Sequence, residues 1–504
     1  MYQSDSIHDV LVIGGGINGT GIAADAAGRG LDVVLCEKSD LAGGTSAWST
    51  KLIHGGLRYL EFYEFGLVRK ALQEREVLTR AAKHIIQPMA FQIPQLANSR
   101  HPLLIRLGLF LYDNLARRKQ FKGSRSIKYD SKSVLSGSIA RGFEYWDAQV
   151  DDSRLVVSNA LQAKSKGASV LTTTECVALR AEADTWIATV QDTSTGIRTE
   201  IRARSIVNAS GPWVSSLLKK LSPEKTVNEL RLVKGSHIVV PKMYEGGTAY
   251  MLQHHDGRVI FVIPYQGKYT LIGTTEEAFN GDLDKPEISH DEVNYLLSIV
   301  NQYFKKPITR SDVVYTYAGV RPLMEEEGID ASKVSRDFHL ELDPKPHPLL
   351  SVYGGKVTTY RVLAEAAVDQ LADSLNNNSP AWTKEAILPG GDFDDHEGLG
   401  KELTTRYSWL APDLINRWLY SYGTLSFKVA GSATSMAELG QRFGYDLYQR
   451  EVDYLCREEW AKSADDILWR RSKLGYFFSA EETEALDNYI KLSYPANKPQ
   501  EPEC

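Results

Sequence analysis

Four consecutive apolar residues, Val10-Leu11-Val12-Ile13, run into the turn Gly14-Gly15-Gly16-Ile17-Asn18-Gly19. A small-residue stretch, Ile22-Ala23-Ala24-Asp25-Ala26-Ala27, follows, and a second apolar run ends on Glu37. This order of periods predicts strand, glycine turn, helix and strand. Helical spacing returns from Glu61 to about Lys83, and Ser205-Ile206-Val207-Asn208-Ala209 reads as a short buried strand running into the small-residue turn Ser210-Gly211-Pro212-Trp213. That strand is expected to rejoin the first sheet. Between about Leu230 and Asp343 the pattern changes to short β-branched runs separated by turns, at 234–240, 258–264 and 269–274. Such runs predict an antiparallel sheet. Leu349 to Lys356 is a strand and glycine turn, and Thr358 to Leu371 a helix. Asn376-Asn377-Asn378-Ser379-Pro380 and Pro389-Gly390-Gly391-Asp392 interrupt the periodicity, and charged helical segments follow at 435–443, 446–461 and 480–492.

A chain of 504 residues exceeds one small core and suggests two or three domains. The pattern predicts an α/β architecture with a discontinuous nucleotide-binding domain over 1–95, 145–229 and 345–375. A substrate-binding or cap domain is expected over 96–144 and 230–344, and a helical C-terminal domain over 381–504.

Composition narrows the class. With 43% hydrophobic and 24% charged residues the chain is a folded, water-soluble type, and a net charge of −6 gives no global pull toward nucleic acid. Cys36, Cys176, Cys456 and Cys504 lack C-x-x-C spacing, so neither a disulfide framework nor a metal site is expected, and a reducing compartment fits best. The first glycine turn lies within fifteen residues of Met1, so no cleaved signal is expected, and the most apolar later stretch, Leu103 to Tyr112, is too short to span a bilayer and is broken by Arg106. After it, Leu115 to Tyr129 carries Arg117, Arg118, Lys119, Lys122, Arg125 and Lys128 without an acidic residue. Two readings stand: docking on an anionic membrane surface, or a half-buried helix with a solvated basic loop.

The glycines carry the first chemical argument. Gly14 permits the tight turn, Gly16 lets backbone approach a pyrophosphate, and Gly19 lets helix pack on strand, so the phosphates of a dinucleotide meet the helix N-terminus. Glu37, 18 residues after Gly19, stands where a carboxylate accepts hydrogen bonds from ribose hydroxyls and repels a 2′-phosphate, which argues against NADP. The fingerprint occurs once, so a second domain for NAD(P)H is not supported. Thr45, Ser46, Ser49 and Thr50 offer hydroxyls to a phosphate or ribitol, and Gly55-Gly56 allows close approach to a flat ring.

At this point the chain resembles the FAD-dependent glycerol-3-phosphate dehydrogenases. The resemblance is carried by Lys51-Leu52-Ile53-His54-Gly55-Gly56-Leu57-Arg58-Tyr59-Leu60, Gly319-Val320-Arg321-Pro322-Leu323 and Gly354-Gly355-Lys356-Val357-Thr358-Thr359-Tyr360-Arg361. It continues through 381–385, 388–391 and Ala464 to Arg471, so it covers nearly the whole chain. It implies the glutathione-reductase and D-amino-acid-oxidase type of FAD domain, Rossmann-like, with an inserted antiparallel substrate sheet and a helical C-terminal domain. It further implies oxidation of sn-glycerol 3-phosphate to dihydroxyacetone phosphate by hydride transfer to flavin N5, electrons passing to a membrane quinone. The expected location is cytoplasmic, peripheral on the inner face of the cytoplasmic membrane, and a homodimer is compatible with it. Membrane contact through the basic run or through Arg470 and Arg471 stays open. Competing readings are an amine or D-amino-acid oxidase of the same fold, a glycerol-3-phosphate oxidase using oxygen, and a flavin-binding protein without turnover.

Expected cofactor contacts are Gly14, Gly16, Asn18, Gly19, Glu37, Thr45, Ser46, Ser49, Lys51, Leu52, Gly211, Gly355, Lys356, Val357 and Thr358. Oxidising a secondary alcohol needs a base for the hydroxyl proton, which a neutral histidine suits; His54 is the first candidate and His237 the second. A phosphate dianion calls for arginine forks, and Arg58 and Arg321 are the candidates, with Arg321 alternatively nearer the alkoxide. Lys356 is placed to neutralise a reduced flavin or to touch substrate. Thr358 is a candidate both to reach the flavin and to cap its helix, and Tyr59 either contacts the phosphate or belongs to the core.

Overall fold

The structure, a computed structural model, describes residues 6–96, 100–221, 228, 230–254, 256–324 and 337–495. Cys504 lies outside them. The first strand, β1 (Ile7–Ile13), leads through the glycine turn into helix α1 (Ile17–Gly28) and then β2 (Val33–Cys36). β1 pairs in parallel with β2 on one side and with Arg198–Asn208 on the other, and Leu349–Tyr353 adds in parallel beyond it. Parallel strands buried on both faces need continuous apolar runs, and β2 is buried at all four positions. The strand ending at Asn208 therefore rejoins the first sheet as expected.

Helices pack on this sheet without room to spare. α1 lies against α4 (Asp152–Ser165) and the helix Tyr360–Ala372. A Cβ on Gly21 would sit 2.8 Å from the Tyr360 ring, and one on Gly28 would sit 2.0 Å from Trp382. Trp382 Nε1 also donates to the Asp25 carbonyl at 3.2 Å, so the segment that opens the C-terminal region is seated on α1.

The second sheet is antiparallel through Leu230–Pro241, Val259–Tyr265 and Tyr269–Gly273, as the β-branched runs predict. Three assignments of segment to domain change. Ile86–Pro94 and Arg141–Val150, expected largely in the nucleotide-binding domain, pair with each other and join the second sheet through Ala249–Gln253. Their inward residues Met89, Phe91, Ile93, Phe143 and Tyr145 share one apolar cluster with Met251, Ile263 and Leu271. Conversely, His339–Asp343 pairs antiparallel with Leu349–Tyr353 and closes the edge of the nucleotide-binding sheet, outside the expected 230–344 substrate domain.

The helix expected from Glu61 starts later, as α2 (Phe65–Ala81), because a 3-10 segment, Leu57–Phe62, comes first and ends at Tyr63 with φ +60°. α3 (Pro102–Asn114) buries only Ile105, Leu109 and Tyr112, leaving Leu103, Leu104, Leu107 and Phe110 more than half exposed.

The C-terminal region has its own apolar core around Trp418, Leu455, Ile467 and Leu486. The helices Gln449–Glu458 and Ala480–Ser493 match expectation. The segment 435–443 does not: it is one 3-10 turn, Met436–Leu439, then a short hairpin strand, separated by Gly440 at φ +75°. Arg470 and Arg471, open candidates for membrane contact, are buried instead. Both grip the Asp40 carboxylate, Arg470 Nε at 2.6 Å and Arg471 at 2.7 and 2.8 Å. Next to them Lys473 reaches Asp151 at 3.2 Å, and Arg154 of α4 pairs with buried Glu459.

Candidate active site

A cavity of about 610 Å³ runs between the two sheets, bounded at one end by the glycine turn and Glu37 and at the other by Arg321, Lys356 and Phe261. At the first end every constraint is local. Gly14 has φ +115°, and a Cβ there would lie 2.5 Å from the Ala209 carbonyl oxygen. A Cβ on Gly19 would lie 1.9 Å from the Gly14 oxygen, which is why α1 can start so close to β1. Gly19 itself faces this packing contact; Gly14, Gly16 and Asn18 line the cavity.

Glu37 directly follows β2. Its Oε2 accepts the Gly15 N–H at 2.7 Å, and its Oε1 accepts the N–H and hydroxyl of Ser39, both at 2.9 Å. The carboxylate is thus aimed at the turn before any ligand arrives. Ser46 Oγ accepts the Ile17 N–H at 3.0 Å, and Thr45 Oγ1 donates to the Val320 carbonyl at 2.7 Å, tying this loop to α1 and to the second sheet. Asn18 Nδ2 donates to the Gly354 carbonyl at 3.1 Å, while its buried Oδ1 has no partner among the described residues. Gly211 and Gly355 line the wall at φ +59° and +93°, conformations that admit backbone close to a flat ligand. A glycine cradle at a helix N-terminus, an acid at the strand end and an orphan acceptor fit the ADP half of FAD.

The expected contacts divide at the other end. Leu52, Val357 and Thr358 line the cavity, as does Ser49, whose hydroxyl donates to Asp152 at 2.7 Å. Lys51 does not. Its Nζ is buried against Asp152 Oδ1 at 2.9 Å and the Ala47 carbonyl at 2.9 Å, so its long side chain turns behind the wall instead of toward a cofactor. Thr358 does not cap its helix: its hydroxyl accepts the His54 N–H at 3.3 Å and lies 3.4 Å from the His54 carbonyl. The His54 backbone is pinned, and its imidazole lies 6.4 Å from the Phe261 ring.

His237 lies behind the wall. It is 1% exposed, stacked on Tyr317 at 4.7 Å, with Nε2 3.0 Å from Thr50 Oγ1. Burial first, then the cations Arg321 and Lys51, push its pKa well below the ordinary imidazole value. It remains neutral, and its place among substrate contacts is not retained.

Arg58, Tyr59, Arg321 and Lys356 do converge on the cavity. Lys356 Nζ sits 3.8 Å above the Tyr59 ring, and Tyr59 both lines the cavity and packs against the apolar cluster of the second sheet. Arg58 and Arg321 flank Glu276 at 3.5 and 3.4 Å, and Arg321 also reaches Thr274 Oγ1 at 3.3 Å. Thr274, Glu276, Arg258 and Phe261 were not anticipated. The available signal was a polar pair immediately after the apolar strand Tyr269–Gly273.

Comparison with known proteins gives the family. Residues 9–361 match the family described as FAD dependent oxidoreductase, and residues 381–496 match the C-terminal domain of alpha-glycerophosphate oxidase. A glycerol-3-phosphate dehydrogenase of Pseudomonas aeruginosa is 49% identical over 493 residues, 97% of this chain and 96% of the relative. A D-erythritol 1-phosphate dehydrogenase of Brucella abortus is 47% identical over 471 residues, 92% of this chain and 94% of the relative. The glycerol-3-phosphate dehydrogenase of Bacillus halodurans, solved complexed with FAD, superposes with a TM-score of 0.76 at 26% identity, covering 97% of this chain and 95% of that one. The chain belongs to the FAD-dependent glycerol-3-phosphate dehydrogenases.

Proposed function

We propose that this protein oxidises sn-glycerol 3-phosphate to dihydroxyacetone phosphate and passes the electrons to a membrane quinone, with His54, Arg58, Arg321 and Lys356 as the reacting and binding groups. The observation that carries the reading is the meeting of one pinned histidine and three cations on the cavity that begins at the glycine cradle. FAD, when bound, supplies the hydride acceptor. Arg58 and Arg321 offer planar forks to the substrate phosphate. A ring nitrogen of His54 takes the hydroxyl proton as the carbinol hydrogen leaves. Lys356, held over Tyr59, supplies positive charge where negative charge develops.

Among the described residues no helix is long and apolar enough to cross a membrane. Contact with one leaflet is supported by α3, whose exposed Leu103, Leu104, Leu107 and Phe110 stand beside exposed Arg106, Arg117, Lys119 and Lys122. Part of the basic run is engaged within the protein, Arg125 with Glu144 at 2.8 Å and Arg118 with Asp113 at 3.7 Å.

An anaerobic titration of the holoenzyme tests the reaction. Glycerol 3-phosphate is expected to bleach the flavin absorbance, and a soluble quinone to restore it faster than oxygen does. Bleaching by a D-amino acid but not by glycerol 3-phosphate would sink the assignment. Erythritol 1-phosphate, taken from the Brucella abortus relative, belongs in the same titration; bleaching at a lower concentration than glycerol 3-phosphate would move the substrate to the longer alditol phosphate.

A further inference from the structure

The proposed reaction leaves one carboxylate in the cavity without a role. Glu276 is 15% exposed at its side chain and stands between the two arginines, Oε2 3.5 Å from Arg58 Nη1 and Oε1 3.4 Å from Arg321 Nη1. Its position is fixed from both sides in sequence. Thr275 before it is buried, donating its hydroxyl to Glu292 at 2.6 Å and its N–H to the Ser236 carbonyl at 3.3 Å. Glu277 and Ala278 after it pair with Lys234 and Val233 on the strand Leu230–Pro241. The carboxylate is therefore delivered by rigid backbone, one oxygen to each guanidinium.

Two cations aimed into a partly buried cavity repel each other unless an anion lies between them. A carboxylate already there holds the pair aligned, and it also opposes the entry of a second anion. Substrate and product both carry a phosphate, so a seat that bound phosphate without competition would retain the product. We propose that Glu276 is the internal stand-in for the substrate phosphate: it aligns Arg58 and Arg321 in the empty site and competes with phosphate for them, setting affinity low enough for product to leave. This rests on the reading of Arg58 and Arg321 as the phosphate site.

Inorganic phosphate is the probe, used as a competitive inhibitor of glycerol 3-phosphate oxidation by the holoenzyme with a soluble quinone in excess. Glu276→Gln keeps the shape and removes the charge. Its phosphate Ki is expected to fall about tenfold, a change of about 1.4 kcal/mol, with KM for glycerol 3-phosphate falling alongside. Glu276→Asp, which keeps the charge, is expected to stay near the parent. Tightening separates this role from a structural one, because a damaged site binds phosphate more weakly. An unchanged or higher Ki in Glu276→Gln would overturn the inference. Should that variant lose its flavin absorbance, Glu276→Ala is read in the same way. Arg58→Ala and Arg321→Ala keep the two readings apart. If both arginine variants weaken phosphate and Glu276→Gln leaves it unchanged, only the competing carboxylate is wrong. If neither arginine variant changes the Ki, the phosphate site itself is misplaced.

Discussion

Replacing Asp40 with alanine is expected to loosen the C-terminal region from the nucleotide-binding domain. Asp40 is 6% exposed and receives both guanidinium groups of a buried pair, Arg470 at 2.6 Å and Arg471 at 2.7 and 2.8 Å. Removing one partner from a buried ion pair costs about 3–5 kcal/mol, because the remaining charge stays desolvated. Here the lower end applies. Arg470 keeps Asp466 at 2.5 Å, and Arg471 keeps the Glu459 carbonyl at 2.7 Å. A loss of about 3 kcal/mol corresponds to roughly 10 °C for a unit of this size. Differential scanning calorimetry of Asp40→Ala should show a transition lowered by that much, and limited proteolysis should cut between 376 and 395 faster than in the parent. The double variant Asp40→Asn with Arg471→Met removes charge from both sides and is expected to recover part of the loss. The pH dependence has a definite sign. Burial alone would raise the Asp40 carboxyl, but the charge of Arg471, then of Arg470, outweighs it and holds the pKa below 3.8. Asp151 is lowered likewise, Lys473 leading the groups that outweigh its burial. Carboxylates depressed in the folded state contribute in full above the unfolded value, and the contribution is lost as pH falls through the folded one. Detachment is therefore expected only below about pH 4. A transition of Asp40→Ala within 2 °C of the parent would refute the argument.

Two further outcomes follow from the site and the surface. Arg321→Ala should retain FAD, read from its visible absorbance, while the rate of flavin reduction by glycerol 3-phosphate falls about a hundredfold, the loss of one charge-assisted pair of roughly 3 kcal/mol; parent-like reduction in stopped flow would remove Arg321 from substrate binding. Sedimentation with vesicles rich in anionic lipid should carry the parent down at low salt and leave Leu107→Asp with Phe110→Asp in the supernatant, and equal sedimentation of both proteins would exclude the α3 face as the contact.

Local chemistry was legible in the sequence and long-range pairing was not. Strand, glycine turn, helix and carboxylate all lie between Ile7 and Glu37, and each is fixed by neighbours on the chain, so β1, α1 and β2 stand where the spacing predicts. Ile86–Pro94 and His339–Asp343 read as strands or loops equally well, and which sheet they join depends on partners far away, Arg141–Val150 and Leu349–Tyr353. Among site residues the same division holds. His54, Arg58 and Lys356 sit beside glycines that restrict their placement, and all three line the cavity. Lys51 shares the same motif, but a buried carboxylate 101 positions later draws its ammonium behind the wall. Glu276 belongs to no pattern of spacing; only the fold sets it between two arginines.

The hydrogen bond from Asn18 to the Gly354 carbonyl spans 336 positions in the chain. Translation at roughly 5–20 residues per second therefore separates the two by roughly 20–70 s. During that interval the nascent protein carries the glycine turn, α1 and Glu37 with part of their enclosing wall still unmade. Leu349–Tyr353 and Trp382, which flank α1 and its sheet, arrive later still than most of the substrate sheet. The cofactor site is begun by the first strand and turn, yet it is closed only after the substrate sheet has been made.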